Sequence, residues 1–260
     1  MGSASRIALT AAKAAVTKAT AASIATGVAL LAAERAIAQV PAIRNALANP
    51  IADAKAKAAL IDATLGKLDG GAKQLLQSIV KERWSSAAEM LDGIEEIGIR
   101  AIALAAGKGN EAELFAVRSA IQAHPELELA LGSKRGSAES KVKLAGSVLK
   151  GTSEATTQIV NHLVASLRGR KIRAMLVAAE NIVADTNGKG LATVTVSAKL
   201  DAAQTERIQT ILKKKYGREH HIDEIIDESI VGGFTIQVGN DTIDASIRSR
   251  LNELSAKLAG

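Results

Sequence analysis

The chain has 260 residues, of which 47% are hydrophobic and only 2% aromatic, and its formal net charge is +6. This length can bury a sizeable core and suggests two or three domains, while an aliphatic, alanine-rich composition favours helices. The absence of cysteine excludes disulfides and thiolate metal sites and fits a reducing compartment. No secretory signal is evident. The most apolar window, residues 21–33, is shorter than the roughly 20 residues that a membrane helix needs.

The positive charge is concentrated in the first two thirds of the chain. Residues 1–100 carry 12 basic and 9 acidic groups, residues 101–190 carry 12 and 8, and residues 191–260 carry 9 and 10. Such an excess can attract acidic partners, although a modest excess spread over many helices also serves solubility alone.

The pattern from residue 5 to about residue 186 predicts helices separated by glycine, proline and capping residues. Pro41, Pro50 and Pro125 are expected at helix starts or ends, because proline disrupts a helix interior. Asp69-Gly70-Gly71 predicts a turn between two helices. This region is therefore expected to form helical bundles.

A shift that places Pro41 on Pro125 aligns the chain with itself without a gap. Two diverged copies of one helical unit explain this repeat. We predict three domains: an N-terminal helical bundle over 1–106, a second helical unit over 107–188 that repeats about 25–104, and an α+β domain over 189–260. Further matched pairs are Leu30/Leu114, Ile37/Ile121, Leu47/Leu131, Lys57/Lys141, Leu60/Leu144, Gln74/Gln158 and Val80/Val164.

After residue 184 the hydrophobic pattern changes from a purely helical one to one that includes strands. Residues 192–198 alternate as a half-buried strand, and Asp201 with Gln204 predicts the start of a helix that ends at Gly217. Residues 234–238 form a second predicted strand. Asp244 or Ser246 then caps a terminal helix. The predicted fold is mainly α, with a duplicated N-terminal helical bundle followed by a strand–helix–strand–helix module. The apolar face of the terminal helix would carry Ile247, Leu251, Leu254 and Leu258.

Two groups of residues in this module allow a chemical interpretation. His220 and His221 could bind a metal, but adjacent residues on a strand point to opposite faces, which favours packing or solvent exposure. The acidic run Asp223, Glu224, Asp227 and Glu228 could serve acid–base chemistry, but no histidine or nucleophile partner is clear. These carboxylates are predicted to be turn, strand-edge and surface residues, with Asp227 bonding the backbone that follows it.

A glycine pair and a basic cluster are the other groups of residues that could bind a ligand. Gly232-Gly233 is expected to allow a positive-φ backbone before a strand, since no phosphate-binding glycine motif is present. Arg168, Arg170, Lys171 and Arg173 form the densest basic cluster, which could bind nucleic acid or form a solvated helix face touching an acidic partner. The scattered aromatics favour the solvated face. No catalytic, cofactor-binding or metal residues are predicted.

The end of the chain resembles the delta subunit of the F-type ATP synthase, whose mitochondrial relative is the oligomycin-sensitivity-conferring protein. The resemblance rests on Val196-Ser197-Ala198, Asp227, Ile230-Val231-Gly232-Gly233 and Asp244-Ala245-Ser246, and on the glycine–arginine step Gly169-Arg170. His220 departs from the pattern, because the family more often has an aliphatic residue there.

Other parts of the chain resemble the same family. Residues 4–9 are similar to the family's opening helix, and the extra helical length resembles the long actinobacterial form. In that group the subunit can be fused to a b-type stalk subunit, and this chain is similar to the unfused form.

The resemblance implies a non-catalytic stator subunit of the peripheral stalk, without cofactors or an active site of its own. In the family, the helical bundle binds N-terminal segments of the alpha subunits on the alpha/beta catalytic head, and the C-terminal module binds the C-terminal helix of the membrane-anchored b subunit. One copy per complex is expected, at the cytoplasmic face of the plasma membrane, without membrane insertion or nucleic acid. The alternative is a basic helical adaptor that binds nucleic acid or a membrane surface.

Overall fold

The computed structural model describes residues 1–18, 23–133, 135–230, 232–247 and 251. The chain divides into two units, Met1–Val183 and Ala184–Gly260. The first unit is helical, and the described part of the second combines a helix with a sheet. This confirms the predicted fold class, mainly α with a small α+β module at the C-terminus.

The helices found in the described part of the first unit match the region predicted to be helical. They are α1 (Ser3–Lys18), α2 (Ile24–Gln39), α3 (Pro41–Ala48), α4 (Ala54–Thr64), α5 (Gly70–Val80), α6 (Ala87–Ala106), α7 (Asn110–Ala123), α8 (Pro125–Gly132), α9 (Ala138–Ala145), α10 (Glu154–Ala165) and α11 (Ile172–Thr186). None of the described helices is by itself long and apolar enough to cross a membrane. Helices α2 and α3 taken together have the length and apolar composition of a membrane span, but they meet at a bend of 109°.

Helices α2 and α6 pack closely through glycine. A Cβ atom on Gly27 of α2 would stand 2.6 Å from the carbonyl oxygen of Gly98 on α6. Because glycine lacks a Cβ, the two backbones can approach at this point. One aliphatic core combines residues of α2 and α6 with α1 and α3–α5, and a second combines them with α7–α11. The pair α2 and α6 therefore contributes to both cores of the first unit.

Helix starts in this unit recur at the spacing of the sequence repeat. Pro41 and Pro125 are the first residues of α3 and α8, where the missing N–H of proline costs nothing. Helices α4 and α9 begin at Ala54 and Ala138, again 138 − 54 = 84 residues apart, as do α5 and α10 at Gly70 and Glu154 (154 − 70 = 84). The first predicted helical domain and residues 107–183 of the second lie within one unit. The boundary between them stays a prediction.

The second unit contains a four-stranded mixed sheet in its described part. Its elements are β1 (Gly190–Val196), α12 (Ala202–Tyr216), β2 (His220–Ile226), β3 (Phe234–Val238) and β4 (Asp241–Asp244). The strand order is β2-β1-β3-β4. Strands β1 and β2 are parallel and joined by α12, whereas β3 is antiparallel to both β1 and β4. The core of this unit is formed by Ala192, Val194, Val196, Ile208, Leu212 and Ile236.

The ends of α12 follow the sequence prediction. The Asp201 side chain accepts a hydrogen bond from the backbone of Gln204, and the Gln204 side chain accepts one from the backbone of Asp201, so a complete capping box starts the helix. Gly217 ends the helix with a φ of 74°, and Lys213, Lys214 and Lys215 occupy its last turn.

The structure adds two strands, β2 and β4, to the two predicted ones. The interpretation of the acidic run as turn, strand-edge and surface residues is wrong for Asp223, which is fully buried inside β2. Its burial is hard to foresee because a carboxylate at a core position contradicts the usual alternation of apolar residues. The predicted terminal helix lies outside the described residues, apart from Ile247 and Leu251, which are both exposed.

Candidate partner-binding surfaces

A groove runs along α12 on the second unit and encloses about 450 Å³. Ile208 and Leu212 on one side of α12 are buried in the core, whereas Ile211 is 41% exposed and lines the groove. Phe234 at the start of β3 forms part of the apolar wall, and Arg207 lies beside Ile211. The groove, called the α12 groove below, thus combines apolar and cationic side chains, which suits an amphipathic partner helix.

A second groove lies on the first unit between α2 and the segment that joins α4 to α5. It encloses about 830 Å³. Its floor on α2 consists of small side chains, and residues 63–69 form the opposite side. Small side chains allow another helix to approach closely. This space, called the α2 groove, is lined on α2 by Ala29, Ala32, Ala33 and Ala36.

The repeat does not present the same groove twice. The residue that matches Ala29 in the second copy is Glu113 (29 + 84), and the residue that matches Asp69 is Ser153 (69 + 84). The Glu113 carboxylate accepts hydrogen bonds from the backbone N–H of Ser153 at 3.0 Å and from its hydroxyl at 2.6 Å. This contact bridges α7 to the start of α10. The two helical copies therefore differ in the surface that they offer.

The arginines of the basic cluster are paired with carboxylates of the same chain. Arg168 and Arg170 lie in the segment between α10 and α11, and both bind the Glu95 carboxylate, at 2.9 and 2.6 Å. Arg168 also lies 2.8 Å from Asp92. The prediction of a solvated helix face is therefore wrong for these two arginines. The segment turns inward because Arg168 and Gly169 both adopt positive φ, at 48° and 80°.

These arginines belong to a buried charge network of Glu34, Glu95, His162, Arg168 and Arg170. Arg168 Nε lies 3.0 Å from Glu34 Oε1, and Ser166 donates a hydrogen bond to the other Glu34 oxygen. Burial raises the pKa of Glu34 to about 7, against the attraction of Arg168. Burial also opposes ionisation of Glu95, but hydrogen bonds from His162 and Arg170 outweigh it and hold the pKa of Glu95 well below its usual range.

Three members of the network have metal-ligand chemistry. The ligand atoms of Glu34, Glu95 and His162 all lie within 4.8 Å of one another. The guanidinium groups of Arg168 and Arg170 already contact the carboxylate oxygens, so a cation there would meet two positive charges. The donor set does not fit a divalent metal. The sequence prediction that the chain has no metal or catalytic residues stays a prediction.

The histidine pair takes separate positions in β2. His220 is buried and its Nδ1 lies 3.0 Å from the Arg218 carbonyl, whereas His221 lies 3.3 Å from Asp223. The two rings face opposite sides of the strand, as adjacent strand residues do. Asp227 accepts a hydrogen bond from the backbone N–H of Ser229, which confirms its predicted role in the turn.

The glycine pair before β3 has the predicted backbone conformation. Gly232 and Gly233 adopt φ values of 147° and 82°. A Cβ on Gly233 would clash with the backbone at Ala245 and Ser246. Glycine is therefore required here both by the backbone angle and by the close approach of the chain that follows β4.

The buried charge network is the part of this region that sequence reasoning missed. Glu34 stands in an alanine-rich helix, and His162 is followed by Leu163 and Val164 in α10. A polar residue on an otherwise apolar helix face is the one available signal, and it does not reveal which partner the residue meets.

Comparison with known sequences identifies the family. The sequence model of the family described as ATP synthase delta (OSCP) subunit matches residues 100–258. A Leifsonia xyli protein named ATP synthase subunit delta is 40% identical over 242 residues, covering 92% of each chain. The chain belongs to the ATP synthase delta (OSCP) subunit family.

Other relatives carry the same name. Proteins named ATP synthase subunit delta from Renibacterium salmoninarum and Streptomyces griseus are each 32% identical, and each covers 84% of this chain, over 84% and 83% of their own lengths. A chain of the Toxoplasma gondii mitochondrial ATP synthase hexamer matches with a TM-score of 0.40 and 20% identity, over 64% of this chain and 95% of that chain. The resemblance to the long actinobacterial form is confirmed by the sequence relatives.

Proposed function

We propose that this protein is a stator subunit of the peripheral stalk, joining the alpha/beta catalytic head of a proton-translocating ATP synthase to the membrane-anchored b subunit. Membership of the delta subunit family is the observation that carries the proposal. The task is mechanical: the head must be held still while the rotor turns, or rotation is not coupled to ATP synthesis. We place the protein at the cytoplasmic face of the plasma membrane, as one copy per complex.

The two grooves supply candidate contact surfaces for this role. The α12 groove on the second unit suits the C-terminal helix of the b subunit, because the exposed Ile211 and the half-buried Phe234 can pack against an apolar helix face. The α2 groove on the first unit suits a helical N-terminal segment of an alpha subunit, because alanine leaves room for a second backbone. Both contacts would use side-chain packing rather than chemistry, in keeping with a non-catalytic subunit.

The basic-adaptor alternative is weakened by the charge network. Nucleic-acid binding depends on cationic side chains that can neutralise phosphates. Arg168 and Arg170 in the densest basic cluster already bind Glu95, and Arg173 lies 3.0 Å from Glu128. These arginines would have to give up buried or partly buried carboxylate partners in order to meet a phosphate backbone.

The proposal is tested by mixing the purified chain with the catalytic head and a soluble b-subunit segment, followed by size-exclusion chromatography. We expect all three components to elute as one particle. A chain that elutes alone beside an intact head and stalk segment would contradict the proposal. Salt-sensitive binding to duplex DNA at physiological ionic strength, without affinity for the b segment, would support the adaptor instead.

A further inference from the structure

The α12 groove carries two positive charges beside its apolar side chains. Lys199, in the segment before α12, and Arg207, within the helix, both line the groove, and both are exposed. The described residues that line it include no aspartate or glutamate. A partner that fills the groove therefore meets cations as well as the apolar groups of Ile211 and Phe234.

These two cations are available to a partner. Neither Lys199 nor Arg207 forms an ion pair in the described part of the chain. Three other cations of the same unit are each paired with a carboxylate of the chain. They are Lys213 with Glu219, Lys215 with Asp241, and Arg218 with Asp185, at 3.6, 2.8 and 3.1 Å. Exposed cations that the chain does not pair can meet carboxylates of a partner, which sets partner choice.

The carboxylates that are close to the groove in sequence bind backbone groups or lie beside it. The Asp201 side chain caps the start of α12, and Glu224 accepts a hydrogen bond from the backbone that precedes this helix. Glu206 is next to Arg207 in the helix but lines a neighbouring hollow instead of the groove. These carboxylates reduce the local positive potential, yet they leave the N–H groups of both groove cations free for a partner.

The spacing along α12 determines the pattern that a partner helix must carry. Arg207 and Ile211 are four residues apart, so they lie on the same face of α12, about 6 Å apart along its axis. A helix that lies along α12 matches this spacing with a carboxylate at one position and an aliphatic side chain three or four residues away.

We propose that the α12 groove selects an acidic amphipathic helix, whose carboxylate pairs with Arg207 and whose aliphatic side chain, one turn away, packs on Ile211 and Phe234. This inference rests on the proposed function, in which the occupant is the C-terminal helix of the b subunit. Lys199 attracts a further negative charge of the same segment. The apolar contact supplies most of the affinity, and the charges exclude helices with a basic face.

The first test is a titration of the full-length chain with a soluble C-terminal segment of the b subunit, followed by calorimetry at two ionic strengths. Raising the ionic strength from about 0.1 M to about 1 M shortens the screening length from about 10 Å to about 3 Å. We expect the dissociation constant to rise by about threefold or more, because salt weakens exposed ion pairs. An unchanged or lower dissociation constant would overturn the inference and leave the proposed function standing. No binding at either ionic strength would overturn both.

Charge reversal is the second test. Arg207→Glu is expected to weaken binding by about fivefold, because a repulsion replaces an attraction of similar size. Lys55→Glu is the matched control, since Lys55 is exposed on α4, has no ion-pair partner in the described part of the chain, and changes the net charge equally. We expect the control to bind as the wild type does. Equal weakening by both variants would show that only net charge matters and would overturn the inference.

A charge swap then separates a direct ion pair from general attraction. Each acidic residue of the b segment is replaced by lysine in turn. One replacement is expected to restore binding to Arg207→Glu while it weakens binding to the wild type. If no replacement does so, Arg207 has no carboxylate partner on the segment and the inference is wrong. The salt titration of the wild type decides the question even if Arg207→Glu fails to fold.

Discussion

Glu34 shows how a single buried carboxyl group can make the first unit sensitive to pH. Its side chain is fully buried, and Arg168 and Ser166 contact it without fully compensating its desolvation. Its pKa is therefore raised to about 7 in the folded protein, while in the unfolded chain it returns to an ordinary value. Between these two values the folded state holds a proton that the unfolded state has released.

The direction in which stability changes with pH follows from this difference in bound protons. The stability contribution of Glu34 is fully present below the unfolded pKa and is lost as the pH rises toward 7. We predict that the unfolding free energy of the wild type, minus that of Glu34→Gln, falls by up to about 3 kcal/mol between pH 5 and pH 8. Urea titrations followed by the fluorescence of Trp84, the only tryptophan, measure this difference. A stability difference between the two proteins that does not change with pH would contradict the raised pKa of Glu34.

The members of the network could not be paired from the sequence. Glu34, Glu95 and Arg168 come from α2, α6 and the segment after α10, so only the tertiary fold brings them together. The sequence did single out Arg168 and Arg170 as a cluster, and it found Gly169-Arg170 as a family feature. It placed them on a solvated face because clustered charges are usually exposed, and burial of paired charges leaves no local pattern.

At the scale of elements, the packing of α2 on α6 depends on Gly27. A Cβ there would stand 2.5 Å from Ile102 Cγ1 and 2.6 Å from the Gly98 carbonyl oxygen. Because backbone atoms cannot rotate away as a side chain can, Gly27→Ala must push the two helices apart. We predict a loss of about 1–3 kcal/mol in unfolding free energy, measured by urea titration with Trp84 fluorescence.

Gly70→Ala is the matched control for this prediction. Gly70 is the first residue of α5, and a Cβ there would meet no atom within 4 Å. The substitution should be neutral or stabilise the protein by up to about 1 kcal/mol, since alanine restricts the unfolded chain. Equal losses for both variants would show that the close crossing of α2 and α6 is not what Gly27→Ala disturbs.

Element boundaries were the most predictable part of the fold. Pro41 and Pro125 begin helices and Gly217 ends one, because these residues restrict or permit backbone angles regardless of distant contacts. Strand β2 was not predicted as such, since His220 and Asp223 occupy buried positions where an apolar residue is expected. These two buried side chains have polar neighbours, since the His220 ring contacts the Arg218 carbonyl and the Asp223 carboxylate contacts His221.

For the whole molecule, the stalk contact should depend on the α12 groove. We predict that Ile211→Glu weakens retention of the b segment by about tenfold or more, because a carboxylate would replace an apolar contact and would lose its water when the b segment binds. Ile226→Glu is the control, since Ile226 is also exposed, at 56% against 41% for Ile211, and does not line the groove. Size-exclusion chromatography with the b segment measures both variants. Equal retention of the two variants would place the stalk contact elsewhere.

ATP-driven proton pumping shows whether this protein couples the head to the stalk. Membranes that contain the ATP synthase but have been stripped of this subunit are supplied with the purified chain. We expect pumping to return with the wild type and with Ile226→Glu but not with Ile211→Glu. If pumping is the same with and without the wild-type chain, while ATP hydrolysis proceeds, the protein is not the stator link proposed here.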